Sequence, residues 1–459
     1  MVEGITAEEP PEVRQGLRPK TLGAAFVVVL PAVIFYSILF CKVVNLPFLD
    51  DYDAALGFLN NMAELRGVPE KLLFFLTARH NEYKLFFADG LVWVQAALLG
   101  RVNFKILCAA GNGFVLLLAI LLWKMFLPGY KDIAAKLILF LPVTLLIFQL
   151  QYVETLNWAD PSLQYLPALV FSLGAIYFLM GMTRPAFCSA IVGLVMAVAS
   201  SGNGLLMVPI GAVILAQRGQ YKRMAGWLVV SAACIAVYAY RYGFMSSQSP
   251  SHLSIFATLV HARPLYLLTL IGNATAPPFF GRVLLVSELY CPILALALCA
   301  FYIAMAQRGY FHRNALVGDC VLLLLLTAVG ITGLRSKLGI AESLSSRYGM
   351  YSLLLLIFAW FAIVEEYLLS ANGTVRKRAV AGVITAAILF SAGMDVVGWR
   401  YLADRDRALV QGMTAFEHSS AGPVLPMAGQ STSMDEFDKR ARAVLQESMR
   451  LGIYRPPEY

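Results

Sequence analysis

Long uninterrupted apolar runs, such as residues 22–41 and 289–306, constrain this chain more than any other feature. A helix rises about 1.5 Å per residue, so runs of about 17 residues or more reach across most or all of the ~30 Å hydrocarbon core of a bilayer. Only 14% of residues are charged, where a soluble domain carries about a quarter, and mean hydropathy is +0.69. These features exclude a water-soluble enzyme, a disordered chain and a β-barrel. The fold class that follows is an all-α polytopic membrane protein with eleven transmembrane helices, expected at 21–41, 104–123, 134–150, 164–181, 186–200, 204–217, 224–242, 283–305, 315–334, 350–369 and 379–397.

The net charge of +8 does not point to nucleic acid, because the 36 Lys and Arg are scattered through short loops between apolar runs. Cys41, Cys108, Cys188, Cys234, Cys291, Cys299 and Cys320 lie in or beside apolar segments without CxxC spacing, so they read as small core residues. The acidic start, Glu3, Glu8, Glu9 and Glu12, and the absence of a small-residue cleavage site after the first apolar run favour a retained first span over a signal peptide.

Segment 85–99 is short and carries Asp89 and Gln95. Were it a span, Lys124, Lys131, Lys136, Arg184, Arg218, Lys222, Arg223, Arg308, Arg313, Arg376, Lys377 and Arg378 would all lie outside, against the positive-inside bias. It is therefore expected to lie in the outer interface. The resulting organisation has a cytoplasmic N-terminus (1–20), a membrane module (21–220) containing a long first external loop (42–103), further transmembrane helices (221–398) and an external C-terminal helical tail (399–459). Besides a tight turn near Gly202, the other external connections are 151–163, 243–282 and 335–347. Helical apolar spacing at 53–66 and 69–79 predicts juxtamembrane helices in the first loop, 264–275 is too short to span, and Met434, Phe437, Ala441, Val444 and Leu451 give the tail the pattern of a small helical cap. No internal repeat is evident, which counts against an inverted-repeat transporter.

Chemistry-bearing residues gather at the external ends. PFLDDYD places Asp50, Asp51 and Asp53 just outside the first span, where a partly desolvated carboxylate can act as a base; helix capping is the competing explanation. His80, Asn81, Glu82 and Lys84 fall within five residues and suit sugar hydroxyls or a phosphate, with an ordinary polar loop as the plainer reading. Joined with the Asp cluster they leave a divalent cation, Mg or Mn, open as a cofactor, although no metal signature is present. Arg335, Lys337, Arg347 and Tyr348 put cations at an external boundary where a lipid-linked phosphate would lie, snorkelling being the alternative. Gln151, Glu154, Asn157, Trp158 and Gln164 pair an aromatic ring with amides, as sugar recognition requires, though an interfacial aromatic belt has the same composition. Asn203 sits in a tight turn facing the same side, His252 and His261 read as loop residues, and Lys42 reads as an anchor.

A first span, a long external loop opening on an acidic pair, juxtamembrane helices, an interfacial helix ending in LLGRVNFK and a second span returning to a basic loop together resemble the GT-C superfamily of integral membrane glycosyltransferases. The likeness is clearest over 15–136 and looser to about 220, and is nearest to bacterial members that modify lipopolysaccharide, O-antigen or other cell-envelope glycans. In the lipid A aminoarabinose and protein mannosyl members a Pro-Pro element precedes the interfacial helix, where this chain has RHNEYK at 79–84. The resemblance implies a polyprenyl-phosphate sugar donor, a glycan or glycolipid acceptor, and Asp50 or Asp51 as base with Asp53 as third choice. It also implies a bacterial inner-membrane enzyme with its active site on the periplasmic face. The alternatives are a flippase for a lipid-linked saccharide, which would carry its ionisable residues at mid-membrane, and an O-antigen polymerase or ligase, whose large external loop usually comes later in the chain.

Overall fold

A computed structural model describes residues 19–80, 83–181, 183–242, 264–277, 284–419, 422–425 and 432–457. Among them the fold is all-helical without a β-strand, and the one isolated bridge joins His80 and Tyr83. Eight helices are long and apolar enough to cross a membrane: Pro19–Lys42, Phe104–Met125, Ala159–Leu179, Tyr221–Ala239, Ser287–Gln307, Ala315–Leu338, Ser346–Leu368 and Gly373–His418. The expectation of eleven is met in full only for these. Ile133–Ile147, Arg184–Ser200 and Gly202–Gln217 are shorter apolar helices of the same length class as Phe86–Leu99. The physical reason lies in their ends. The 15 residues of Ile133–Ile147 rise only about 22 Å, and a 3₁₀ turn at Gly202–Leu206 takes the start of the third.

Polar caps fix where the helices begin. Asn103, Asp132, Thr183, Asn314 and Asn372 each accept a backbone N–H from the first turn that follows, at Ile106, Ala135, Ala186, Val317 and Thr374. The connections at 126–132, 180–181, 218–220, 308–314 and 369–372 gather at one end of the bundle. Arg218 there donates to the Met180 carbonyl, Arg308 to the Tyr367 hydroxyl and Arg313 to Glu366, while Phe126 packs on Phe361 with ring centroids 4.7 Å apart. The twelve cations used to orient the chain lie at this basic end.

The opposite end collects the first loop and the connections at 148–158, 201–206 and 336–348. Gln151 donates to Asn273, Asn273 to the Ser343 and Ser345 carbonyls, and the Lys84 N–H to the Tyr238 hydroxyl. The first loop contains Tyr52–Gly57, Phe58–Glu64 and Val68–Thr77; the last exposes Val68, Leu72, Leu73 and Leu76, an apolar face suited to the membrane surface. Pro264–Ile271 is indeed short.

The last long helix, Gly373–His418, has 46 residues and is therefore about 69 Å long. It overshoots the bilayer because its polar second half is held against the first loop and residues 148–158: Lys42 lies over the Trp399 ring, Asp395 accepts the Leu150 N–H, and a Cβ at Gly398 would lie 2.3 Å from the Leu150 Cβ. Beyond it Thr432–Arg450 folds back as a roof. The Asn60 amide donates to the Val444 carbonyl, the Ser448 hydroxyl donates to Asn60, the Tyr454 hydroxyl donates to the Asn45 carbonyl, and the Val102 N–H donates to the Ile453 carbonyl.

Candidate active site

At the end opposite the basic loops lies a cavity of about 390 Å³. Its wall brings together Asp50 from the first loop, His80, Trp158 and Asp160 from the start of Ala159–Leu179, and Arg335 and Arg347 from the far end of the sequence. Gln164 and Tyr165 continue the wall, and Met434, Phe437 and Arg440 of the roof helix close it.

Asp50 and Asp51 are adjacent in sequence and separated in role. Asp51 is 1% exposed and does not line the cavity. Its carboxylate accepts the Phe48 N–H at 3.1 Å and the Asp160 N–H at 2.9 Å, so it ties the first loop to the start of Ala159–Leu179. Burial pushes its carboxyl up to about 8, with those two N–H donors pulling the other way. Asp50 instead faces the cavity, its side chain 32% exposed and Oδ1 3.3 Å from His80 Nε2. Burial works to raise its pKa, but the His80 contact and the charges of Arg347 and Arg335 outweigh it and hold the carboxyl below its ordinary range. His80 is the complement. Burial lowers it, yet Asp50, Asp160 and Asp53 together raise it to about 9. The cavity wall therefore sets the Asp50 and Asp160 carboxyl groups and the His80 imidazole among the guanidinium groups of Arg335, Arg347 and Arg440.

The loop that carries Arg347 is fixed by Glu154, whose Oε2 accepts the Ser345 hydroxyl at 2.6 Å and the Arg347 backbone N–H at 3.0 Å. Arg347 itself pairs with Glu342 at 2.5 Å and lies over the Trp158 and Tyr348 rings. Arg335 stacks over Tyr83.

The other residues singled out from sequence divide by position. Asp53 is at the rim, paired with Arg440 at 2.7 Å. Lys84 is buried away from the cavity, its ammonium donating to the Leu76 and Tyr240 carbonyls at 2.8 and 2.6 Å. Gln151 joins 148–158 to Asn273, Tyr348 donates to Glu342, and Asn157 contacts Asp406 at 3.5 Å. Asn203 and Lys337 do not line the cavity, and Lys337 is exposed. Asn81, Glu82, His252 and His261 lie outside the described residues.

Sequence reading passed over Asp160, Tyr165 and Arg405. Asp160 was legible as an acidic residue in the first turn of a helix. Arg405 is 7% exposed, with its guanidinium 3.7 Å above the Phe48 ring, and no local pattern marks such a long-range contact.

No group of three His, Cys, Asp or Glu side chains is placed to hold a metal ion among the described residues. These features define a polytopic helical membrane protein with a charged, aromatic-walled cavity at one end of its bundle. No family model matches the chain, and no curated protein matches it.

Proposed function

We infer that the protein is a membrane glycosyltransferase that moves one sugar from a polyprenyl-phosphate donor to a cell-envelope glycan or glycolipid. The observation that carries the reading is the placement of the Asp50 carboxylate in one cavity with Arg335 and Arg347. An acceptor hydroxyl gives its proton to Asp50 as its oxygen bonds to the anomeric carbon. The bond from that carbon to the phosphate oxygen breaks, the electron pair leaves with the polyprenyl phosphate, and configuration inverts. Arg335 and Arg347 bind the departing phosphate, which needs charge stabilisation more than protonation. The Trp158, Tyr165 and Phe437 rings suit the apolar faces of sugars, and Gln164 suits their hydroxyls.

The basic end would be cytoplasmic by the positive-inside bias, which puts the cavity on the periplasmic side of a bacterial inner membrane. The test is transfer of radiolabelled sugar from a panel of synthetic polyprenyl-phosphate sugars by purified protein. Transfer that persists in EDTA and needs a raised donor concentration in Arg347→Gln is expected. Failure with every donor, alongside binding of the lipid-linked sugar, would replace this reading with a flippase.

A further inference from the structure

A second cavity, about 880 Å³, lies between Leu284–Gln307 and Ala315–Arg335 and opens toward the basic end. Its volume is within the range of small-molecule sites. Its lining is sorted by depth. Arg218, His312 and Asp319 stand at the basic end, while Leu298, Leu325 and Leu355 line the interior. Gly318 helps to keep it open, since a Cβ there would come within 3.1 Å of the Phe311 ring. From Ala315 to Leu325 the wall runs ten residues, or about 15 Å, half of the ~30 Å hydrocarbon core. Ile271, two residues before Asn273 of the opposite end, also lines the slot, so the slot extends beyond that wall.

We propose that this slot holds one bilayer phospholipid with a primary ammonium headgroup, its phosphate on Arg218 and its ammonium on Asp319. Charge selects that occupant. Arg218 is anchored through the Met180 carbonyl at 2.9 Å and shares the wall of the slot with Asp319. A headgroup carrying only phosphate sets an anion against Asp319, and one carrying only an amine sets a cation against Arg218. A zwitterion with phosphate next to ammonium satisfies both, and an ionisable residue facing a cavity at membrane depth calls for such a partner. The donor lipid of the proposed reaction does not compete. Its phosphate would lie at Arg335, sixteen residues or about 24 Å along the same helix from Asp319.

The test needs no transfer assay. The purified full chain is reconstituted in vesicles of equal phosphatidylethanolamine, phosphatidylglycerol and phosphatidylcholine, extracted in detergent, and its retained lipid counted by native mass spectrometry. Wild type should keep one phosphatidylethanolamine at least about tenfold over either competitor, because the glycerol headgroup lacks the cation and the quaternary choline cannot donate a charge-assisted hydrogen bond. Asp319→Asn should erase the preference, and Leu325→Trp, which narrows the slot along its apolar wall, should weaken retention of all three. Equal retention by wild type, preference for phosphatidylglycerol or phosphatidylcholine, or an unchanged preference in Asp319→Asn overturns the proposal. The wild-type comparison decides even if a variant does not fold.

Discussion

Replacing Asp50 and Asp51 one at a time by Asn separates chemistry from architecture at neighbouring positions. At Asp50 the change is nearly isosteric and removes the proton acceptor from the cavity wall. Loss of a general base lowers turnover by about 10²–10⁴-fold, or roughly 3–5 kcal/mol in the barrier. Among the described residues the Asp50 carboxylate contacts His80, and its side chain is partly exposed, so the folded protein should survive. At Asp51 the carboxylate accepts two backbone N–H groups in a dry environment. An amide presents only one acceptor oxygen and buries an NH₂ without a partner, a cost of about 1–3 kcal/mol. Initial rates with saturating donor, together with thermal unfolding in detergent, read both effects. The expected pattern is lost turnover for Asp50→Asn, with a melting temperature lowered by no more than the His80 pairing contributes, and a lowered melting temperature with substantial turnover in the remaining folded fraction for Asp51→Asn. Full turnover in Asp50→Asn would refute the assignment of the base, and the reverse pattern would exchange the two roles.

Two further outcomes follow from the geometry. His80 is raised from 6.5 to about 9, so its contribution to stability is complete below about pH 6.5 and is lost as pH rises through about 9, an amount of about 3 kcal/mol at most; melting temperature should fall between pH 6.5 and 9.5 in wild type, and a His80→Asn variant that falls equally would refute the pairing. A Cβ at Gly272 would lie 1.8 Å from the Cys291 carbonyl oxygen, so Gly272→Ala should cost at least about 1–3 kcal/mol through overpacking, whereas Gly330→Ala, with nothing within 4 Å, should purify and melt like wild type.

Much of the architecture was legible because hydropathy acts along the chain. All eleven expected spans contain a helix, and Phe86–Leu99 was separable from the long ones by its length and polar residues. The last span was read as 379–397 because composition turns polar there, yet the helix runs on to His418; contacts to 148–158 support its second half, and hydropathy does not report them. The site was half legible for the same reason. Asp50, His80, Trp158 and Arg347 stand out as polar or aromatic residues at span ends and do share a cavity. The split between Asp50 and Asp51 depends on where the N–H groups of Phe48 and Asp160 point, and Lys84 is spent on the carbonyls of Leu76, eight residues away, and of Tyr240. Neither fact leaves a trace in spacing.

The long final helix connects the membrane mechanically to the cavity. Its tight contact is at Gly398, where it bears directly on Leu150, and the twenty residues from there to His418 form an arm of about 30 Å leading to the roof. A tilt of about 5° at that contact carries the tip through roughly 3 Å, a displacement comparable to a hydrogen bond at the mouth of the cavity. Bilayers of different thickness impose different tilts on a helix anchored at both interfaces. Because Arg405 and Asp406 clamp the arm to Phe48 and Asn157, a tilt of the helix would be passed to the first loop that carries Asp50, and turnover compared in vesicles of different acyl length is the measurement that reads it.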